Sequence, residues 1–204
     1  MQKAFFNDRY HLTRMAVKGI KTNTRRIEGD RQFQLAATAA EDFTYEEATG
    51  CVVMCCQGVE IFRHKCRYKV GEVVAVAQSY EQVYLHGNMD ADDAIIRGLK
   101  YDPGMCNKMY VRAALMPHQI RITGIRCERL QDISDEDCFR EGIIESWYES
   151  TDTTTYGYAD EKKGTAVEFD TPRKAFASLI DRVSGKGTWA SNPWVVVYEF
   201  ELVK

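Results

Sequence analysis

The C-terminal segment Trp194–Val203 constrains the fold more than any other part of this sequence. It is almost continuously apolar and rich in β-branched and aromatic residues, so it predicts a strand inside a sheet rather than at an edge. A hairpin is predicted upstream, where Cys51–Gln57 and Glu60–Tyr68 are β-rich and separated by Gly58. The chain must therefore build a sheet with buried central strands.

Other segments supply the remaining strands. Lys3–Phe6 is a short apolar segment typical of an edge strand, and Val73–Ala77 follows a turn and reads as a buried strand. Strands are also predicted at Met109–Leu115 and Gln119–Leu130, and Gly124 breaks the alternation of the second, which indicates a bulge.

Helices are predicted where capping residues precede an apolar stripe. Four helices are predicted. The first begins at Asn7 or Asp8 and ends before Gly19, and the second covers Asp90–Leu99. The third runs from Ser134 to Glu141-Gly142, and the fourth begins at Thr171-Pro172. The segment Lys21–Arg26 is too polar for a core and is expected to be a loop or one helical turn.

Six or seven strands interrupted by two to four helices favour an α+β fold with a mixed, mostly antiparallel β-barrel. The length fits one domain, residues 1–204, with insertions at 31–66, 86–105 and 146–168. The last of these is polar and is expected to be a mobile loop.

Composition limits the classes of protein to which this chain can belong. There is no apolar run of about 18 residues and no secretory signal, so a cytoplasmic protein without a membrane span is expected. The seven cysteines have neither disulfide-framework nor zinc-site spacing, and neither metal nor cofactor is expected.

Charge is distributed unevenly. Residues 1–26 carry seven basic side chains and one acid, a net +6, whereas the whole chain is −3 and the remainder therefore −9. A basic segment on an acidic body suggests a specific anionic ligand, although a solvated basic face is the simpler interpretation.

Four motifs occur in the order found in one family. Gly19-Ile20-Lys21-Thr22-Asn23-Thr24-Arg25-Arg26 resembles the G-x-K-T-x-T-x-R signature of the ASCH family. The other three also have counterparts there: the turn Tyr68–Glu72, the segment from Arg129 to Gly142, and the closing Asn192-Pro193-Trp194-Val195, which is similar to that of longer members, many from phages and prophages.

The resemblance implies a PUA-like β-barrel that associates with RNA or modified nucleosides. One branch of the family, the bacterial acetylcytidine amidohydrolases, has catalytic residues that fall on Lys21, Thr24 and Glu141 of this chain. The chain is about twice as long as the members of that branch, and it has Arg25 where they have an apolar residue. The resemblance therefore indicates the fold more strongly than it indicates the substrate.

Amide hydrolysis admits two roles for these residues. Thr24 could attack with Lys21 as its base, which requires a turn at residues 21–24 because residues three apart point in opposite directions on a strand. Alternatively Glu141 activates water, Lys21 stabilises the oxyanion and Thr24 positions the substrate. Without the resemblance, the three residues read as a surface lysine, a capping hydroxyl and a helix end.

Substrate-binding residues are expected at Arg25, Arg26, Tyr80 and His118. The guanidinium groups suit phosphate oxygens, Tyr80 could stack on a base, and His118 could bond a ligand, while packing or solvation explains each equally simply. A non-catalytic module that binds RNA or a modified base, and a ribonuclease using the same basic loop, remain alternatives to the amidohydrolase.

Overall fold

The structure is a computed structural model that describes residues 1–85 and 101–203. The strands in these residues are β1 (Lys3–Ala4), β2 (Asn23–Ile27), β3 (Asp42–Glu46), β4 (Cys51–Cys56), β5 (Val59–Lys65), β6 (Val73–Val76), β7 (Gln119–Arg129), β8 (Ile144–Tyr148), β9 (Thr153–Asp160), β10 (Thr165–Phe169) and β11 (Trp194–Leu202). The α-helices are α1 (Leu12–Val17), α2 (Arg31–Ala39), α3 (Tyr80–Leu85), α4 (Asp135–Glu141), α5 (Pro172–Ser184) and α6 (Thr188–Ser191).

A five-stranded sheet with the order β1-β6-β7-β11-β2 forms the centre of the fold. Strand β11 pairs antiparallel with both β7 and β2, and its residues Val195–Tyr198 are completely buried, as expected for an internal strand. The register between β7 and β11 shifts next to Gly124, so the predicted bulge is confirmed.

This sheet is open, and the three sheets of the described residues do not close into a barrel. The expected barrel is therefore wrong, although the α+β class with mostly antiparallel pairing is confirmed. Strand β1 has only two residues and pairs only with β6, in parallel, so it offers too little backbone to form a ladder with β2. A side chain bridges this gap instead, because Arg26 Nη2 of β2 donates to Phe5 O, just after β1, at 2.6 Å.

Two three-stranded antiparallel sheets, β3-β4-β5 and β10-β9-β8, flank the centre. The first contains the predicted hairpin. The second was expected to be a mobile loop, and that prediction is wrong. Its polar strands are rich in Thr and Tyr, which favour pleated surfaces, and Tyr158 anchors β9 because it is buried and its hydroxyl lies 2.8 Å from Ser178 Oγ of α5.

Two further segments differ from expectation. The signature segment does not form a loop or a turn, because Asn23–Ile27 pairs with β11 as an edge strand. Met109–Leu115 is not a strand, since it contains a 3₁₀ turn at Ala113–Leu115. The helix predicted at Asp90–Leu99 lies outside the described residues. Backbone pairing with β11, rather than local polarity, decided the state of the signature segment.

The caps predicted at Ser134 and Thr171 are confirmed, whereas the cap predicted at Asn7 or Asp8 is wrong because His11 precedes the first helix. Ser134 Oγ accepts from Asp137 N at 3.1 Å, and Thr171 Oγ1 accepts from Lys174 N at 3.2 Å. Helix α1 begins later than predicted, at Leu12, after a series of turns that leaves His11 in the left-handed region with φ 57°.

One buried apolar cluster joins residues of the central sheet, α1, α5 and both flanking sheets, and a second, smaller one surrounds Tyr80 and Met116. Within residues 1–85 and 101–203, no helix is long and apolar enough to cross a bilayer.

Candidate functional site

Lys21 is fixed at the junction between α1 and β2. Gly19, with φ 69°, ends α1, and the amides of Ile20 and Lys21 both donate to Met15 O, at 3.0 and 3.2 Å. The next amide, Thr22 N, donates to Arg140 O of α4 at 2.9 Å. These backbone bonds hold the base of the Lys21 side chain against the C-terminal end of α4.

Glu141 is the last residue of α4 and faces Lys21. Gly142 follows in the left-handed region, with φ 110°, and Ile143 N returns to Cys138 O at 3.1 Å, which stops the helix at this point. Lys21 Nζ lies 2.5 Å from Glu141 Oε2 and 2.8 Å from Glu141 O. Both residues are buried, at 2% and 6% exposure, so the predicted pair forms a buried ion pair.

Arg25 connects this pair to two further carboxylates. Its guanidinium donates to Glu141 Oε1 at 3.1 Å, to Asp137 Oδ2 at 2.7 Å and to Glu128 Oε1 at 2.8 Å. The Arg25 side chain is only 1% exposed, and all of its donor groups face carboxylates of the protein. It therefore stabilises the acidic cluster. Arg25 also lines the cavity described below, so its contact with substrate stays a prediction.

Neighbouring groups complete the cluster. Asn23 Nδ2 donates to Asp137 Oδ1 at 2.9 Å, and Arg126 contacts Glu128 at 2.9 Å, Asp137 at 2.5 Å and also Glu199. Glu141 therefore has two cationic partners, Lys21 and Arg25. Glu128 and Asp137 each contact both Arg25 and Arg126.

Burial lowers the pKa of Lys21, and this effect is the largest at the residue. The charge and hydrogen bond of Glu141 raise that pKa, while Arg26 and Arg25 lower it. The net direction is downward, which resolves the opposing signs left open by the sequence. A lysine with a lowered pKa can accept a proton closer to neutral pH than an exposed lysine can.

The ion pair faces a cavity of about 350 Å³ in the gap between the two edge strands. Its polar lining includes Lys21, Thr24 and Glu141 together with Arg25 and Arg26, and most of the remaining lining forms an apolar wall. The apolar residues are Phe5, Phe6, Leu12, Ile27, Phe176, Leu179, Ile180 and Val183. A cavity of this size with one polar and one apolar wall suits a small ring-containing ligand.

Thr24 lines the same cavity but does not contact Lys21 through its hydroxyl. It pairs with Tyr198 in the ladder between β2 and β11 and is 8% exposed. In the described residues, no hydrogen bond joins its Oγ1 to Lys21 or Glu141. Since residues 23–27 are a strand, the turn expected at 21–24 is absent, and the three side chains meet across a cavity rather than on one helical face.

The other predicted binding residues are dispersed. Arg26 lines the cavity, and within the described residues its buried Nε has no hydrogen-bond partner. Tyr80 is completely buried in the smaller apolar cluster, where its hydroxyl accepts from Arg112 N at 2.9 Å. His118 lies at a different cavity, with Nδ1 2.8 Å from Gln78 Oε1.

Sequence reasoning did not single out Asp137, Glu128 or the apolar wall as parts of the site. Asp137 could have been found, because it precedes Glu141 by four residues on a predicted helix and so shares its face. In the described residues, no cluster of three or more His, Cys, Asp or Glu is arranged to hold a metal ion.

Searches against protein-family models, curated proteins and solved structures found no match for this chain.

Proposed function

We propose that this chain is an ASCH-type amidohydrolase that removes the acyl group from N4-acylated cytosine nucleosides, with RNA or modified nucleosides as its partners. The observation that carries the proposal is the convergence of Lys21, Thr24 and Glu141 on one cavity, with Lys21 buried and its pKa lowered. In this proposal, the gap between the two edge strands of the open five-stranded sheet is the substrate site.

The contacts favour Lys21 over Glu141 as the proton acceptor. Both carboxylate oxygens of Glu141 already accept hydrogen bonds, one from Lys21 and one from Arg25. A carboxylate that bonds two cations is poorly placed to deprotonate water, whereas a desolvated amine with a lowered pKa is suited to take a hydroxyl proton.

The proposed reaction proceeds in two steps. The hydroxyl oxygen of Thr24 attacks the amide carbonyl carbon while the amine of Lys21 takes its proton, and that proton passes to the cytosine N4 as the C–N bond breaks. Water then attacks the Thr24 ester, Lys21 again transfers the proton, and the carboxylic acid leaves. Glu141 and Arg25 hold Lys21 in position, and the apolar wall accommodates the ring and the acyl group.

The test is incubation of the purified chain with N4-acetylcytidine and measurement of released cytidine and acetate. Thr24→Val and Lys21→Met are each expected to reduce turnover at least about 1000-fold, because each removes a group required in both steps. The matched controls are Thr151→Val and Lys186→Met, which change exposed residues outside the cavity and should retain full turnover. Turnover by the Thr24→Val variant at the wild-type rate would refute the nucleophile.

A second candidate, binding without catalysis, is favoured by the absence of a hydrogen bond between Thr24 and Lys21. In that case the wild-type chain would bind a cytosine nucleoside or RNA but release no product, and the binding would weaken in Lys21→Met. Cleaved RNA that is lost in the same variant would instead identify a ribonuclease.

A further inference from the structure

A second cavity, of about 400 Å³, is lined by residues of the α1 region, the start of α3 and the segment before β7. Asp8, His11 and Thr13 line this cavity, whereas Phe6, Asn7 and Leu12 line the first one. The two cavities therefore use different residues of the same short segment. None of Lys21, Thr24 and Glu141 lines the second cavity.

Two carboxamide groups line this second cavity, one on the buried Gln78 and one on the half-buried Gln82. Gln78 is 3% exposed, and its Oε1 is paired with His118 Nδ1. Gln82 Oε1 accepts from Ser79 N at 3.0 Å, in a reciprocal pair that caps α3. In the described residues, neither amide nitrogen donates to a protein group. Neither nitrogen is sealed from solvent, so both amide groups can donate to a ligand in the cavity, and their oxygens are held in place by protein donors.

The exposed side of the cavity is positively charged. Arg14 and Lys18 are exposed, lie one helical turn apart and line the cavity, and neither side chain makes an ion pair in the described residues. Asp8 is neutralised by Lys108, whose Nζ lies 2.9 Å from Asp8 Oδ1, and it also accepts a hydrogen bond from the Thr13 hydroxyl; Glu161 remains as the opposing charge. The cavity therefore combines neutral amides inside with two free cations outside.

We propose that this cavity is a nucleotide site. Carboxamide groups read the donor and acceptor edges of bases, and a guanidinium with a neighbouring ammonium suits phosphate oxygens. The base edge lies on Gln78 and Gln82, and the phosphate lies between Arg14 and Lys18. The ligand is a free nucleoside monophosphate or a nucleotide unit of RNA, which share this chemistry. The site is independent of the amidohydrolase proposed above.

The test follows the side-chain amide NMR signals of Gln78 and Gln82 during titration with adenosine monophosphate, adenosine and inorganic phosphate. Saturable shifts are expected with the monophosphate, with weaker binding of adenosine. The Arg14→Ala/Lys18→Ala variant should bind the monophosphate about tenfold or more weakly. The matched control Arg31→Ala/Lys186→Ala removes two exposed cations elsewhere and should bind as the wild type does.

A short single-stranded RNA in place of the monophosphate distinguishes the two sources. Tighter binding of the RNA, with a steep salt dependence, identifies a nucleic-acid unit, and binding no tighter than the monophosphate identifies a free nucleotide. The proposal is wrong if neither probe moves the two amide signals, or if both double variants weaken binding equally. Because these signals report only on the second cavity, this result is separable from acetylcytidine turnover.

Discussion

The buried pair of Lys21 and Glu141 predicts that replacing its two members has very unequal effects on the free energy of unfolding. In Glu141→Gln, Lys21 keeps the backbone carbonyl of residue 141 but loses its charge partner in a site that is 2% exposed. Leaving a buried charge without its partner costs about 3 to 5 kcal/mol. In Lys21→Met, by contrast, Glu141 keeps Arg25 as its counter-ion.

The loss in the free energy of unfolding caused by Glu141→Gln has an upper limit. Lys21 can lose its proton, and at pH 7 this costs about 1.4 kcal/mol for each unit below the ordinary lysine pKa of about 10.4, or about 4.6 kcal/mol in all. We therefore expect Glu141→Gln to lower the free energy of unfolding by about 3 to 4.5 kcal/mol. Lys21→Met should change it by about 1 kcal/mol or less, because the methionine removes a desolvated charge and fills a similar volume.

Urea denaturation at pH 7 measures both effects, with thermal unfolding as a second readout. For a chain of this length, the loss in Glu141→Gln corresponds to a melting temperature lower by about 6 to 18 °C. The double variant Lys21→Met/Glu141→Gln should be more stable than Glu141→Gln alone, because it no longer contains the unpaired ammonium. The reasoning is refuted if Lys21→Met destabilises the chain as much as Glu141→Gln does, or if the double variant recovers nothing.

Three further predictions concern the same region. Arg25→Met should destabilise the chain by about 3 to 5 kcal/mol in urea denaturation, because it leaves Glu128, Asp137 and Glu141 without their shared cation; a loss under about 1 kcal/mol would contradict this. Folding lowers the pKa of Lys21, so between that lowered pKa and about 10.4 the unfolded chain binds more protons than the folded chain does. The free energy of unfolding should therefore rise with pH in this window. The slope should be smaller in Lys21→Met, and equal slopes in the two proteins would count against the prediction. Gly142→Ala should lower the free energy of unfolding by about 2 kcal/mol or more in thermal unfolding, because φ is 110° and the new Cβ would lie 3.0 Å from Leu12 Cδ2. The control Gly164→Ala should cost about 1 kcal/mol, because φ is 65° and no atom lies within 4 Å of the new Cβ.

The sequence predicted those parts of the fold that depend on local chemistry. The apolar run of β11 can be satisfied only inside a sheet, Gly124 interrupts a strict alternation, and Ser134 and Thr171 have hydroxyls that bond nearby amides. Each signal acts over a few residues, so it can be read without knowing what surrounds it. The same holds for the position of Glu141, which the left-handed Gly142 places at the end of a helix.

Tertiary structure decided the rest. Lys21–Arg26 is polar and reads as a loop, but its ladder with β11 makes most of it a strand. The strand leaves the Thr24 hydroxyl without a hydrogen bond to Lys21 and directs Arg25 at three carboxylates. The Thr- and Tyr-rich segment that follows α4 forms a sheet for the same reason, since backbone pairing with distant residues outweighs weak local preference. The direction of the Lys21 pKa shift also belongs to the folded chain, because only burial determines how strongly desolvation competes with Glu141.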